Sequence, residues 1–369
     1  MAGIYIHIPF CKRRCSYCDF FSSTGIRGKE RYINALCDEL QIRKDYLNGE
    51  PVETIYFGGG TPSVLSFFDF EKIFYTLYSV FGENENREVT LEANPDDLTI
   101  DYLPTIRLFP FNRISLGIQS FNDRELELLN RRHDAQSAIR AVDLLQQAKY
   151  NNISIDLMYG LPGQGMKTWE KTLRQAIDLQ VQHISAYHLT YEEGTPLHKR
   201  MKAGSLTPVE EDMSNRMFEV LIDMLTAAGF EHYEISNFAR TGFQSRHNTS
   251  YWNGTHYLGV GASAHSFNGS SRQWNYKTLT PDYWISGCEI EILDGKTKYN
   301  DFVITRLRTM KGMDLNELTS LFGERLKTDC LRQAQKHIAN GLLKSEDNCL
   351  RLTRKGVFVS DGIMSDLII

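Results

Sequence analysis

The chain has 369 residues, of which 41% are hydrophobic and 24% are charged, and its formal net charge at pH 7 is −5. These values are ordinary for a soluble globular protein and leave room for one large α/β domain and a smaller one. The negative charge gives no reason to expect nucleic acid as a partner, and no apolar run in the sequence is long enough to span a bilayer.

The N-terminal residues and the cysteine count predict a cytoplasmic protein. The apolar run at 4–8 is too short for a secretory signal and lacks both a basic region and a small-residue cleavage site. Seven cysteines, an odd number, suit a reducing compartment better than a disulfide scaffold. Four of them are scattered and are interpreted as ordinary buried thiols: Cys37, Cys288, Cys330 and Cys349.

Strand-like and helix-like segments alternate through the first part of the chain. The predicted strands cover residues 4–8, 54–57, 89–93, 113–118, 153–158 and 183–189. Amphipathic patterns between them predict helices over residues 29–47, 68–81, 123–129, 135–149 and 168–179. This alternation indicates βα units around a parallel sheet.

Polar or glycine-rich residues follow all six predicted strands. A cysteine-containing loop follows the first strand and a glycine triplet, 58–60, follows the second, whereas the others end at Glu92, Gln119, Asp156 and Thr190. In a parallel barrel these strand ends converge on the face that carries the active site. The sequence therefore predicts an α/β protein with a partial (β/α)6 TIM-like barrel over residues 1–212 and a site at its C-terminal rim.

The alternation weakens after about residue 212. Residues 213–295 are predicted to form an extension with a helix at 213–228, a short strand at 233–235 and an aromatic, glycine-rich stretch. From residue 296 the pattern changes to short helices and a probable hairpin at 342–356. We interpret residues 296–369 as a mainly helical, winged-helix-like module that packs against the barrel or a substrate rather than against DNA.

Three cysteines lie within eight residues of the loop after the first strand. Cys11, Cys15 and Cys18 are spaced Cys-x3-Cys-x2-Cys, and thiolates at this spacing can reach three corners of one metal site. A structural zinc ion would need a fourth protein ligand, for which His7 is a candidate. A 4Fe-4S cluster on three cysteines instead leaves one iron with an open position, as a catalytic metal site requires. Both interpretations stay open on spacing alone.

The segment CKRRCSYC, residues 11–18, resembles the signature of the radical S-adenosylmethionine (SAM) superfamily. The resemblance runs from Tyr5 to about Tyr191 and continues more loosely to the C-terminus. It implies a radical SAM barrel with a 4Fe-4S cluster on the three cysteines and with SAM chelating the open iron. In that superfamily the reduced cluster cleaves SAM to a 5′-deoxyadenosyl radical.

Further segments resemble those that surround the cofactor in this superfamily, among them GGGTP, LEANP, GIQSF, LLNRRH, IDLMYGLPG and YHLTYEEG. The resemblance implies that SAM is bound by Tyr5, Phe20, Gly59, Gly60, Thr61, Glu92, Gln119, Arg131, Asp156 and Thr190. Arg131 is expected to pair with the methionyl carboxylate, although Arg132 could take its place. Asp156 is expected to bind a ribose hydroxyl.

Within the superfamily the chain resembles most the oxygen-independent coproporphyrinogen III oxidases and their branch of HemW-type heme chaperones. The oxidases carry a further cysteine two positions after the third, where this sequence has Phe20. They also carry an extension before the first strand, which we do not expect here because Tyr5 lies so early in the sequence. Both departures favour the chaperone branch, and we expect the chain to lack the oxidase activity.

The segment HNTSYW, residues 247–252, matches the His-Asn-x-x-Tyr-Trp motif associated with heme binding in these chaperones. The match implies heme contact by His247, Asn248, Tyr251 and Trp252, since imidazole is a standard axial ligand and aromatic rings offer flat faces to a porphyrin. His256 and His265 lie nearby and are alternative ligands. The segment could instead be an aromatic loop beneath the C-terminal module, with its histidine an ordinary hydrogen-bonded side chain.

The resemblance thus predicts a chaperone that binds heme, a 4Fe-4S cluster and SAM and passes heme to apo-hemoproteins. Such a carrier needs a docking surface for a recipient or a membrane, and the cluster is expected to regulate heme binding or assembly into a homodimer. The alternative is an oxygen-independent coproporphyrinogen III oxidase, which forms protoporphyrinogen IX by abstracting hydrogen atoms from propionate side chains. A radical enzyme with an unrelated substrate is a third hypothesis, since a fold does not fix a function.

Overall fold

The computed structural model describes residues 1–279 and 287–369. In these residues twelve strands form one large mixed sheet, and three short strands form a second sheet near the C-terminus. The strands of the large sheet are β1 (Ala2–Ile8), β2 (Val52–Gly59), β3 (Glu88–Ala93), β4 (Arg113–Gln119), β5 (Ile153–Tyr159), β6 (His183–His188), β7 (Glu231–Glu234), β8 (Asn237–Ala239), β9 (His256–Val260), β10 (His265–Phe267), β11 (Ser271–Asn275) and β12 (Cys288–Ile292).

Helices connect the strands of the large sheet. They are α1 (Lys29–Ile42), α2 (Phe67–Phe81), α3 (Leu103–Arg107), α4 (Asp123–Leu128), α5 (Ala135–Gln147), α6 (Met166–Asp178), α7 (Pro196–Lys202), α8 (Glu211–Ala227) and α9 (Arg246–Asn253). Local sequence signals mark several of their ends, as at α2, where Ser66 and Asp69 form a reciprocal capping box. Among the described residues, no helix is long and apolar enough to cross a membrane.

Strands β1 to β6 run parallel and in sequential order, which confirms the six predicted strands and the partial (β/α)6 barrel. In the described part of the chain β1 and β6 are not neighbours, so the barrel is open along one side. The carboxyl ends of the six strands lie at one rim, as parallel strands require.

Alternation along β1 shows how the sequence assigns the two faces of a barrel strand. Ile4, Ile6 and Ile8 are fully buried in the hydrophobic core that the sheet shares with its surrounding helices. Tyr5 and His7 point the other way: the Tyr5 ring lies against Tyr56, and its hydroxyl is 3.2 Å from Nδ1 of His7. The barrel interior is therefore polar and aromatic, whereas its outer surface is aliphatic.

The predicted extension continues the barrel sheet at both of its edges. β8 pairs antiparallel with β6, and β7 pairs antiparallel with β8. At the opposite edge β9 pairs parallel with β1, and β10 to β12 follow it outward. The predicted boundary at residue 212 falls in the first turn of α8, and residues 280–286 of the predicted extension lie outside the described residues.

The C-terminal residues form a mainly helical module with a two-stranded wing. Its elements are α10 (Gly295–Leu307), β13 (Met313–Asp314), α11 (Leu315–Ala339), β14 (Leu343–Glu346), β15 (Cys349–Leu352), α12 (Arg354–Val357) and α13 (Ser360–Leu367). Gly323, with φ of 85°, kinks α11 into two segments. The predicted hairpin is confirmed, and Asp347 and Asn348 at its turn both have the positive φ that a type I′ turn requires.

Candidate cofactor site

The cysteine loop lies across the rim of the barrel, between β1 and α1. The N–H of Cys11 donates to the carbonyl of Ser23 at 2.8 Å, which closes the loop near its base. At the far side the backbone N–H of Ser16 donates to the carbonyl of Leu129 at 3.0 Å. The Ser16 hydroxyl donates to the carbonyl of Leu128 at 2.8 Å. These bonds fix the three thiols above the strand ends before any metal binds.

Two of the three thiols accept hydrogen bonds from residues predicted to bind SAM. The Thr61 hydroxyl donates to Sγ of Cys11 at 3.4 Å, and Nη1 of Arg131 donates to Sγ of Cys15 at 3.2 Å. Burial raises the pKa of Cys11, and it raises the pKa of Cys18 to about 11. Because thiolates are the form that binds iron, loading the site must release protons.

The donor chemistry of this loop fits an iron–sulfur cluster. In the described residues no three side chains of His, Cys, Asp or Glu converge as the ligands of one metal ion do. Each cysteine of a 4Fe-4S cluster binds a different iron, so such convergence is not needed. His7, considered as a fourth zinc ligand, is buried with Nε2 2.9 Å from the carbonyl of Phe21.

A cavity of about 640 Å³ opens directly beneath the cysteine loop. Its walls include the three cysteines and nine of the ten residues predicted to bind SAM, which are Phe20, Gly59, Gly60, Thr61, Glu92, Gln119, Arg131, Asp156 and Thr190. Phe20 is 64% exposed at the mouth. The tenth residue, Tyr5, does not line the cavity but lies inside the barrel, with its ring against Tyr56 and His247.

The glycines after β2 are required by packing within the chain. A Cβ on Gly59, whose φ is 103°, would lie 2.5 Å from the His7 ring, and one on Gly60 would lie 2.8 Å from the carbonyl oxygen of Ile8. Larger side chains here would push β1 and the cysteine loop away from the rim. These glycines thus set the floor of the cavity whether or not a ligand is bound.

Two acidic side chains lie in the cavity wall away from bulk solvent. Burial raises the pKa of Glu92 to about 7, even though the Tyr56 hydroxyl donates to its Oε1 at 2.7 Å. Burial likewise raises the pKa of Asp156 to about 6, against hydrogen bonds from Ser185 and Ser115 that act in the opposite direction. Both carboxyls can accept hydrogen bonds from a ligand amine or hydroxyl.

Arg131 and Arg132 are separated by the structure. Arg131 lines the cavity, where its Nη2 donates to the Asn94 amide oxygen at 2.6 Å. Arg132 turns outward to form ion pairs with Asp96 and Asp97. Only the first of the two therefore offers its guanidinium to a ligand in this cavity.

Gln119 reaches the cavity because β4 is irregular at its end. The register between β4 and β5 shifts between Leu116 and Gln119, and Gln119 has a φ of 69°, which is uncommon for a residue other than glycine. A Cβ on Gly117 would lie 3.1 Å from the Gln119 amide nitrogen. Strain and a small neighbour together aim the amide inward.

The HNTSYW segment forms α9 at the opposite end of the barrel. His247 is 1% exposed and lies near the beginnings of β1 and β2. Its Nδ1 is 2.8 Å from the Thr54 hydroxyl, its Nε2 is 2.9 Å from the Tyr251 hydroxyl, and its ring stacks on Tyr56. Burial lowers the pKa of His247 to about 3, and both of its nitrogens are occupied in this conformation.

The rest of α9 joins the barrel to the C-terminal module. The carbonyl of Trp252 accepts a hydrogen bond from Arg306, and the guanidinium of Arg308 lies 5.2 Å from the indole ring. Asn248 is half-buried, and its N–H donates to the Ser245 hydroxyl at 3.2 Å. The predicted heme segment and the predicted SAM residues are therefore not brought together in one cavity, and the segment is a packed helix rather than an aromatic loop.

Sequence inspection did not identify three interior residues that shape the site. Tyr56 donates to Glu92, Asn94 accepts from Arg131, and Arg113 lies buried inside the barrel. A signal was present for Arg113, which with Ser115 and Gln119 alternates with aliphatic residues along β4.

Comparison with known proteins identifies the two parts of the chain. Residues 5–176 match the Radical SAM superfamily, and residues 293–359 match the HemN C-terminal domain. The chain is 32% identical to heme chaperone HemW of Mycobacterium tuberculosis over 376 residues, covering 99% of this chain and 94% of the relative. It is 31% identical to heme chaperone HemW of Bacillus subtilis over 374 residues, covering 98% of each.

A similar likeness extends to an animal protein and to a solved structure. The mouse protein named Radical S-adenosyl methionine domain-containing protein 1, mitochondrial, is 32% identical over 387 residues, covering 100% of this chain and 87% of the relative. The structure of coproporphyrinogen III oxidase (HemN) from Escherichia coli matches with a TM-score of 0.86 at 23% identity, over 100% of this chain and 90% of that chain, which shows a shared fold. By its full-length relatives and its matching barrel domain, this chain belongs to the radical SAM superfamily and, within it, to the HemW family.

Proposed function

We propose that this protein is a cytoplasmic heme chaperone, which binds a 4Fe-4S cluster, SAM and heme and delivers heme to apo-hemoproteins. The full-length similarity to relatives named heme chaperone HemW carries the proposal. The cysteine loop supports it, because thiols and predicted SAM residues surround one cavity. A membrane-docking surface and a homodimer belong to the same proposal as predictions from the sequence.

Cys11, Cys15 and Cys18 would hold the cluster, which supplies one-electron chemistry when it is bound. The hydrogen bonds from Thr61 and Arg131 stabilise thiolate charge on the first two of these residues. Arg131 would also face the carboxylate of SAM, because its fixed charge and planar donors suit that group.

The proposal includes heme contact by four residues of α9, which are His247, Asn248, Tyr251 and Trp252. The structure shows what this contact would require. Coordination of iron by His247 requires α9 to leave the barrel end, since neither ring nitrogen is free there. Of the two alternatives, His256 is paired with Glu50. His265 is exposed, and neither of its ring nitrogens has a hydrogen-bond partner among the described residues.

The environment of His265 suits an axial ligand without any change in the fold. Its ring stacks on Trp274 at a centroid distance of 6.0 Å. Partial desolvation of the ring beside Trp274, with Lys277 and Arg272 nearby, lowers the pKa of His265, so the imidazole is neutral at physiological pH. A neutral imidazole is the form that binds iron, and the two cations offer partners to the heme propionates.

An anaerobic hemin titration of the reconstituted full chain, followed by visible absorption, tests the proposed function. Wild type is expected to saturate without consuming SAM. Loss of affinity in His247→Ala with an unchanged circular dichroism spectrum would support coordination after α9 moves, whereas loss in His265→Ala alone would support the exposed ligand. Loss in His256→Ala alone would instead support the third candidate ligand, and iron and sulfide analysis distinguishes a cluster from zinc.

The titration and a turnover assay with coproporphyrinogen III together separate the chaperone from the oxidase. Absence of saturable hemin binding would contradict the proposal. Formation of 5′-deoxyadenosine in step with loss of coproporphyrinogen III would then assign the oxidase activity instead.

A further inference from the structure

Arg113 is a buried cation that the site described above does not use. It is the first residue of β4 and is 1% exposed, and its Nε and Nη1 have no hydrogen-bond partner among the described residues. Burial of an ionised group is costly, so a fold keeps one where nearby charges compensate it. We propose that Arg113 is a positioning residue for SAM: its positive charge favours the ionised form of Glu92 and Asp156 beneath the cofactor cavity.

Strand geometry places Arg113 between and below the two carboxyls. Ser115, the next residue of β4 on the same face, lines the cavity, so Arg113 lies one step deeper inside the barrel. Ser115 pairs with Glu92 of β3 on one side and with Ser154 of β5 on the other. Asp156 follows Ser154 by two residues and therefore points into the same interior.

The electrostatics agree with this placement. Burial, which raises the pKa of Glu92 to about 7 and that of Asp156 to about 6, is opposed at both carboxyls by the charge of Arg113. Asp156 also feels the cation of Arg131, which is already hydrogen-bonded to Cys15. At Glu92 the charge of Arg113 acts together with the hydrogen bond from Tyr56 and against the charge of Asp156.

The other titratable groups that face this cluster are uncharged near neutral pH. Burial raises the pKa of the tyrosines that face the carboxyls from β1, β2, β6 and α9, which are Tyr5, Tyr56, Tyr187 and Tyr251. Burial also keeps the groups around the guanidinium neutral, which are His183, His247 and Tyr233. Glu88 accepts hydrogen bonds from the two backbone N–H groups at the start of α9, so its carboxylate already has partners there.

The role matters for SAM because an ionised carboxylate accepts hydrogen bonds from an ammonium or a hydroxyl more strongly than a protonated one does. The inference rests on the proposed binding of SAM. Arg113 does not line the cavity and acts through the two carboxyls, so its removal should change the pH dependence of binding rather than remove a ligand contact.

The test measures SAM affinity by isothermal titration calorimetry between about pH 6 and pH 9, on reconstituted protein with the cluster oxidised so that SAM is not cleaved. The variants are Arg113→Met and Arg113→Lys. Thr90→Val is the matched control, because Thr90 is a fully buried residue that pairs with Arg113 across β3 and β4 and carries no charge.

Wild-type affinity should rise with pH through a midpoint near pH 7 as Glu92 ionises and should level off above about pH 8. In Arg113→Met the midpoint should move up by about one pH unit, which weakens binding about fivefold at pH 7 and restores it near pH 9. Arg113→Lys and Thr90→Val should keep the wild-type midpoint. An unchanged midpoint in Arg113→Met, or equal weakening at every pH, would overturn the inference.

Two further outcomes are separable. If wild type binds no SAM at any pH, the proposed cofactor site fails, and the role of Arg113 fails with it. If Arg113→Met does not fold, the double variant Arg113→Met/Glu92→Gln must fold better, because removing both members of a buried charge pair is tolerated better than removing one. Equal instability of the single and double variants would contradict the pairing.

Discussion

At the scale of single residues, the chemistry of this site depends on which side chains the strands turn inward. β2 and β3 turn Tyr56 and Glu92 toward each other, and β5 turns Asp156 toward the same interior. Each carboxyl is held where ionisation is unfavourable without a partner, because water is scarce inside the barrel. A bound cation or hydroxyl would therefore gain from these groups more than it would at an exposed surface.

Glu92 should make the cofactor-free protein less stable as pH rises. Its folded-state pKa, about 7, exceeds the ordinary value of 4.5, so the folded chain binds more protons between these pH values and the free energy of unfolding falls with rising pH. Glu92→Gln should remove this part of the decline and be more stable above pH 7 by about 1 to 3 kcal/mol.

Urea unfolding at a series of pH values measures this difference. The buried histidines, His7 and His247, act in the opposite direction, since their lowered pKa values make stability rise with pH, but they are common to both proteins. Parallel curves for wild type and Glu92→Gln would contradict the raised pKa of Glu92.

At the scale of elements, α9 closes the end of the barrel away from the cysteine loop. Two backbone N–H groups at its start are accepted by the carboxylate of Glu88, and its imidazole is held between Thr54 and Tyr251. The motif that resembles a heme-binding segment is thus also a structural part of the barrel. A loss of heme binding on mutation would by itself not distinguish a ligand from a packing residue.

His247→Ala should destabilise the fold by about 2 to 4 kcal/mol, because it leaves a cavity and two hydroxyls without their partner. His265→Ala, at an exposed position, should change the free energy of unfolding by less than about 0.5 kcal/mol. Chemical denaturation monitored by circular dichroism compares the two. Equal stability of His247→Ala and wild type would show that α9 does not need this side chain to stay in place.

At the scale of the whole molecule, the extension and the C-terminal module complete the barrel rather than follow it. β8 and β9 cover the two sheet edges that β6 and β1 would otherwise expose. Arg306 donates a hydrogen bond to the end of α9, and Arg354 forms an ion pair with Asp223 of α8. The C-terminal module therefore contacts both of these helices. Uncovered edges offer unpaired N–H and C=O groups to other chains.

A chain that ends at residue 212 should therefore fail to form a stable monomeric barrel. We expect it to aggregate, since both edges of the six-stranded sheet would be open and α8 would be lost. Size-exclusion chromatography and circular dichroism, with the full chain as control, test this. A soluble fragment that unfolds cooperatively would contradict this expectation and would support residue 212 as the boundary of an independently folding domain.

The sequence by itself determined the six strands, the parallel barrel and the rim at which the strands end. Those features follow from alternation and from chain order, which act locally and are visible in the printed residues. The SAM candidates came from the resemblance to radical SAM proteins, and all of them but Tyr5 line the cavity beside the three cysteines. The tertiary structure decided the burial of His247, the outward turn of Arg132 and the position of Arg113, whose Nε and Nη1 have no partner in the described part of the chain. Each depends on residues far apart in the sequence that meet only when the sheet closes around its interior, and no local pattern records which of them will meet.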